Sequence, residues 1–195
     1  MRGKTFIEAL KKLCHATGDY TDITTEQLLE EADELRDWES FLRERVREIW
    51  EDFDWNELCD IYEITVQHDK NFAFFTIPND TIFYTAFAVD PRQTDIIPGI
   101  FEIRQFGEKF KIMYAFPQVV FARLQKACPE LDLRSDEIIP DYIVNAAVQL
   151  AFADVMKGNG HIQKAQVLES QGNGIRDREM AKQTRTRQKT IGVRR

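Results

Sequence analysis

The run LRERVREIWEDFDWNELCDIYEITVQ, residues 42–67, changes its hydrophobic period half-way along. Up to Phe53 the apolar residues recur at three and four (Leu42, Val46, Ile49, Trp50, Phe53), the spacing of one helix face. Past Trp55, the residues Ile61, Glu63, Thr65 and Gln67 alternate with Tyr62, Ile64 and Val66, the period of a strand. The chain therefore passes from helix to sheet here, and the fold class turns on what flanks the change.

Toward the N-terminus the helical period persists. Phe6, Leu10, Leu13 and Cys14 lie opposite Lys11 and Lys12, and Gly18 is placed to stop this first helix. Thr24-Thr25-Glu26-Gln27 supplies a hydroxyl cap and an early amide for a second. Its apolar side reads Leu28, Leu35, Trp38, Leu42, Ile49 and Phe53, widened by Phe41, Val46 and Trp50. No proline or glycine interrupts Thr25–Asp54, which predicts one helix of about 28 residues, roughly 40 Å long.

Toward the C-terminus, Phe72–Ile77, Ile82–Val89, Ile100–Phe106 and Phe110–Phe116 are rich in β-branched and aromatic residues, with turn signals between them. FEIRQF-GEK-FKIMYAF reads as a hairpin, and the alternation in Val119–Leu124 favours a strand. Beyond Pro140 the helical period returns, with Tyr142, Ile143, Ala146, Ala147, Leu150, Ala151 and Val155 in a small-residue stripe. After Gly158-Asn159-Gly160, a polar helix runs from about His161 to Gln183, anchored by Ala165 and Leu168 and weakened by Gly172 and Gly174. The expected fold is α+β. Residues 1–58 and 136–185 form a helical bundle of the N- and C-terminal helices. Residues 59–135 form an inserted small antiparallel β-sandwich or barrel, and 186–195 an extended basic tail.

At 195 residues, 43% hydrophobic and with fourteen Phe, the chain buries enough surface to fold without staples and is not mainly disordered. Three cysteines, Cys14, Cys59 and Cys128, sit far apart, as reduced thiols in a cytoplasm-made protein do. MRGKTFIEALKKLCHATGDY soon meets charge and does not read as a signal peptide, and no run is long enough to span a bilayer. A soluble protein is expected.

Net charge is −7, unevenly spread. Glu26–Asp60 holds fourteen acidic residues against four arginines, whereas Lys182–Arg195 holds six basic residues and no acid. Such a tail is either a solvated end or a plug for something negative, nucleic acid or an acidic protein surface.

Catalytic chemistry finds little support. His15, His68 and His161 lie singly, away from metal-ligand spacing, and no nucleophile elbow, P-loop or dinucleotide fingerprint occurs. Acidic pairs such as Glu30/Glu31 fall on a charged helix exterior, where solvation explains them. Neither an enzyme nor a cofactor is expected. Arg43, Arg45 and Arg47 beside Trp50 and Trp55 suggest an aromatic-basic surface, but Glu44, Glu48, Glu51, Asp52 and Asp54 cancel its field. Intrahelical pairs Glu44–Arg47 and Arg47–Glu51 account for the pattern, and the same arginines suit salt bridges between subunits. Arg43, Arg47, Trp50, Trp55 and Tyr142 are accordingly assigned to core or subunit packing.

Several segments together resemble a family of tailed-bacteriophage neck proteins, the head–tail connectors (adaptor or head-completion proteins). They are LRERVREIWEDFDWNEL, the Asp-Pro-Arg turn of AVDPRQTD, VVFARLQKACPEL, PDYIVNAAVQLAFADVMKGNGHIQKAQVLESQ and the basic end REMAKQTRTRQKTIGVRR. The chain departs from that family at Asn56, where proline is frequent, and at Gly172 and Gly174, in a helix usually richer in alanine.

The resemblance implies a virion protein of the neck, between capsid and tail, assembled in the host cytoplasm. It implies a twelvefold ring of like subunits docked under the portal protein, above stopper or tail proteins, with DNA passing through without sequence-specific binding and no membrane involved. Arg185, Arg187, Lys189, Ile191, Val193, Arg194 and Arg195 would then anchor the chain in the portal. A closing ring needs unlike surfaces meeting head to tail, and many weak tails engaged together hold firmly. Alternative readings are a stopper or tail-terminator ring, or a nucleic-acid-binding protein that uses the basic tail.

Overall fold

The computed structural model describes residues 3–18, 20, 22–30, 35–70, 72–92 and 99–190, with side chains to Thr184. It is mixed α+β, with N- and C-terminal helices and antiparallel sheets. Two units emerge: Met1–Phe53 with Cys128–Lys182, and Asp54–Ala127 with the residues from Gln183.

In the helical unit, β1 (Gly3–Lys4) pairs antiparallel with β9 (Ile139–Pro140), a short ribbon the sequence patterning did not suggest. Helix α1 (Phe6–Thr17) opens with the Thr5 N–H donating to the Glu8 carboxylate at 2.8 Å and closes on left-handed Gly18, φ 87°. The TTEQ signal starts α2 (Thr25–Glu30). Thr24 N–H donates to Gln27 Oε1 at 2.8 Å, and Gln27 N–H donates back to Thr24 Oγ1 at 3.2 Å.

The single long helix expected over Thr25–Asp54 is instead α2 and α3 (Arg36–Glu51), with Leu35 in a turn. Leu28, Leu35, Leu42 and Ile49 are all buried and repeat every seven residues. Residues 31–34 lie outside the described residues, and Leu35, with φ −94° and ψ 6°, leads into α3 from a turn.

Helix α4 (Asp141–Gly158) is the centre of the unit, packed by both α1 and α3. The stripe read from sequence is too narrow. Val144, Val148, Phe152, Ala153 and Met156 are buried as well, eleven of eighteen residues in all. Helix α5 (Ile162–Thr190) runs past Gln183, so residues 186–190 of the expected extended tail are helical. From Ile175 to Thr190 the chain holds neither glycine nor proline, and its cations near the C-terminal end favour the helix dipole. Among the described side chains of α5, Ala165 and Gly172 are buried, while Leu168 is half-buried. Gly172 has a packing reason: a Cβ there would lie 2.8 Å from Leu150 Cγ and Cδ2 and 3.3 Å from the Ala146 carbonyl oxygen.

Among the described residues the β unit has seven strands: β2 (Cys59–Thr65), β3 (Gln67–Asp69), β4 (Phe72–Phe75), β5 (Thr81–Phe87), β6 (Ile103–Phe106), β7 (Lys109–Ile112) and β8 (Val119–Lys126). They form two antiparallel sheets, ordered β2-β8-β5 and β3-β4-β7-β6. One core joins them: Phe75, Phe110 and Ile112 from one sheet meet Ala86, Val120, Ala122 and Leu124 from the other. The sheets also join at an edge, where Phe87 of β5 bridges Ile100 just before β6. There Ala88 N–H donates to the Gly99 carbonyl at 2.8 Å and Phe101 N–H to the Ala86 carbonyl at 3.0 Å. The expected sandwich or barrel is thus two packed sheets linked along one side. Buried Val66 marks where the chain leaves one sheet for the other, its N–H donating to the Gln118 carbonyl at 2.9 Å. Phe83 packs on Phe110 at 4.7 Å between centroids, and Phe75 on Phe110 at 5.5 Å.

The division falls at 53/54 and 127/128, whereas the periodicity places it at 58/59 and 135/136. Leu131 accounts for the later boundary: it is buried, and its carbonyl accepts from Arg43 Nε at 2.9 Å in the helical unit. Trp55, bonded to Gln125 of β8, accounts for the earlier one.

The two glycines of α5 separate propensity from packing. Gly174 has nothing within 4 Å of an added Cβ, so Gly174→Ala should stabilise by about 0.5–1 kcal/mol. Gly172→Ala makes the same propensity gain but drives a methyl into Leu150, and should lower stability by about 1–3 kcal/mol. Thermal denaturation of the two variants should move in opposite directions.

Candidate functional site

The arginine-rich face of α3 is the first candidate. Ser40, Arg43, Glu44, Arg47, Glu48 and Glu51 line a shallow depression of about 460 Å³. Arg43 is committed inside its unit: it pairs with Glu39, donates to Leu131 O, and its guanidinium carbon lies 5.5 Å from the Phe6 ring centroid. Arg45 grips Asp154 of α4 with both prongs, Nε–Oδ2 at 2.8 Å and Nη2–Oδ1 at 3.1 Å, and reaches Glu48 at 2.6 Å. The Asp154 bond holds the Arg45 guanidinium above its already basic range.

Arg47 behaves differently from expectation. Among the described residues, neither the Glu44–Arg47 nor the Arg47–Glu51 pair forms, and the ion pairs of α3 are those of Arg43 and Arg45. Exposed Arg47 instead reaches the Cys128 thiol. Burial pushes that thiol up to about 11, against the pull of Arg47 and with support from Glu51.

Trp50 and Trp55 are 2% and 0% exposed, and Tyr142 is half-buried with its hydroxyl inside. A polar cluster that periodicity did not disclose surrounds Trp55 in the β unit. Gln125 is fully buried and accepts the Trp55 N–H at 2.9 Å, with Cys59 Sγ at 3.6 Å from the same oxygen. Arg123 donates to Asn56 Oδ1 at 2.7 Å and lies 3.3 Å from the Asp54 carboxylate. Asn56 donates to Gln183 twice, its backbone N–H to Oε1 at 3.3 Å and its side-chain Nδ2 to the carbonyl at 3.2 Å. The strand alternation of β8 places Gln125 with Phe121 and Arg123, opposite the sandwich core, so nothing in the pattern marks it as buried.

The Asp-Pro-Arg turn has a comparable internal logic. Asp90, 7% exposed, accepts from the Arg92 N–H at 2.9 Å and Nε at 3.0 Å, and this holds its carboxyl below the usual carboxylate range.

Of the residues assigned to the anchor, Arg185, Arg187 and Lys189 belong to the backbone of α5, with side chains outside the description. Ile191, Val193, Arg194 and Arg195 lie outside the described residues altogether. Among the described residues, no group of three or more His, Cys, Asp or Glu is placed to hold a metal ion, and no helix is long and apolar enough to cross a membrane. No protein-family model matches the chain, and no curated protein is significantly similar to it.

Two measurements check this account. Gln125→Leu removes the acceptor of the Trp55 N–H and should destabilise by about 1–3 kcal/mol in denaturant titration. For Cys128, a raised folded value favours the neutral thiol. Its contribution to stability is complete below about pH 9 and lost as pH rises through about 11. Alkylation of the folded chain at pH 8 should therefore leave Cys128 unmodified long after a denatured sample has reacted.

Proposed function

We propose that the protein is a head–tail adaptor of a tailed bacteriophage, one subunit of a ring that docks on the portal through α5 and the basic residues beyond it. The observation that carries this reading is α5 itself. It is 29 residues long, yet its described side chains bury only Ala165 and Gly172. Lys157–Glu169 at 3.1 Å and Lys164 over Phe152 at 5.1 Å add polar ties near its start. A polar helix so thinly anchored draws little stability from packing, and helices in proteins owe most of theirs to an apolar face. A groove on a partner that receives the helix supplies the missing surface.

Charge supports the same reading. The last turns of the helix and the five residues after it carry six basic residues and no acid, on a chain of net charge −7. Twelve such stretches engaged at once bind far more firmly than one, because each later contact is intramolecular. The acidic remainder suits a channel through which DNA must slide without sticking. On this reading the protein acts in the virion neck, beside other copies of itself and above stopper or tail proteins.

Deleting Arg187–Arg195 should leave a folded chain that no longer joins portal-containing heads. Light scattering of purified portal mixed with the parent chain should show a twelve-copy addition that the truncated chain does not make. Truncated protein that assembles at the parent level refutes the anchor. Electron microscopy of assembled necks then separates an adaptor from a stopper or terminator by the neighbour that α5 touches.

A further inference from the structure

The outer face of the four-stranded sheet in the β unit plays no part in the reading above. On it lie Phe72 and Phe74 of β4, Lys109 and Lys111 of β7, and Arg104 and Phe106 of β6. Their strand neighbours Ala73, Phe75, Phe110 and Ile112 point into the core. Register aligns them across strands: Phe74 with Lys111, Arg104 with Lys111, Phe106 with Lys109. The Lys109 ammonium sits 4.5 Å from the Phe74 centroid and that of Lys111 4.7 Å from the Phe72 centroid, while the two rings are 5.9 Å apart. Phe106 is 62% exposed and the Arg104 side chain 59%. Two acids share the face: Glu102, 3.6 Å from Arg104, and Asp69, the register partner of Phe72. The face thus carries a positive excess on a chain whose net charge is −7.

We propose that this sheet face is a platform for single-stranded nucleic acid, bound without sequence preference. An unpaired base exposes a flat π-face that stacks on phenylalanine whatever its identity, and cations beside the rings neutralise the strand's phosphates. Phe72 and Phe74 occupy successive outward positions of one strand, with Phe106 two strands away, so a chain of bases meets aromatic surface along its path. Lys109 and Lys111 lie over the half-buried rings of Phe74 and Phe72, so a base takes a ring face as the ammonium above it swings to a phosphate. An acidic protein surface would satisfy the cations but leave the three rings with nothing flat to cover. Duplex DNA hides its base faces within its own stack, which sets this activity apart from passage of a genome through a ring.

The test is fluorescence anisotropy of a labelled oligothymidine strand with the full chain, against a duplex of equal length. Affinity for the strand should exceed that for the duplex and fall with salt at a logarithmic slope of about −2, the value for three neutralised phosphates. Lys111→Gln should make that slope shallower by about 0.7. Phe74→Leu keeps apolar volume but removes the π-face, and should weaken binding by about ten-fold. Melting curves matching the parent chain verify that the variants fold; should Phe74→Leu melt early, exposed Phe106→Leu takes its place. Strand binding that neither variant changes assigns it to the basic C-terminal residues and overturns the proposal. Duplex bound as tightly as single strand overturns it too. So does an absence of strand binding together with self-association in sedimentation that both variants abolish, which makes the face a contact between copies. None of these outcomes bears on portal docking, which is read on a different partner.

Discussion

A helix that is apolar on nearly every side cannot stand against water, and α4 is such a helix. Its buried residues span most of its circumference, so elements have to close over it on more than one side. Helices α1 and α3 do so, and α5 lies against it where Gly172 meets Leu150. The alanines at 146, 147, 151 and 153 set how near these neighbours come, because a methyl is all that separates one backbone from the next. The half-buried carboxylate of Asp154 is tolerated on this helix because Arg45 meets it with two hydrogen bonds. Arg43 and Arg45, which on sequence resemble a charged exterior, thus hold the unit together from its edge.

The β unit answers a similar demand with different parts. Two small sheets, of three and four strands, each need a cover for an apolar face, and a shared layer of phenylalanine and aliphatic side chains, with the Phe87–Ile100 bridge at one edge, joins them. Passing through Val66 lets one continuous run of chain contribute a strand to both. At one end, Gln125 supplies an acceptor for the buried Trp55 backbone, so a large indole is enclosed without leaving its amide unpaired.

Function is proposed at surfaces where these demands are relaxed. Helix α5 keeps little apolar contact along its described length, and the outer sheet face keeps Phe106 in solvent and Phe72 and Phe74 half-buried under lysine side chains. Exposed rings and a thinly anchored helix add little to a lone chain's stability, which is why partners are sought there.

Much of this architecture was legible in the residues. The switch from a period near four to a period of two at Trp55, the TTEQ cap, the Gly107 hairpin and the alternation of β8 all act over a few neighbouring positions, and the structure keeps them. The long second helix is the exception, because the apolar period runs on through Leu35 while its backbone there is a turn, and a period records which side is apolar but not whether the helix is continuous. Gly172 reads as a weak point until Leu150 is placed beside it. Gln125, Leu131 and the partners of Arg45 and Arg47 were hidden for one reason: each depends on residues about seventy to over one hundred positions away in the chain. Local pattern specifies what each segment becomes. Which buried polar group finds an acceptor, and which glycine is a contact rather than a defect, is decided only when distant segments are packed to van der Waals distance.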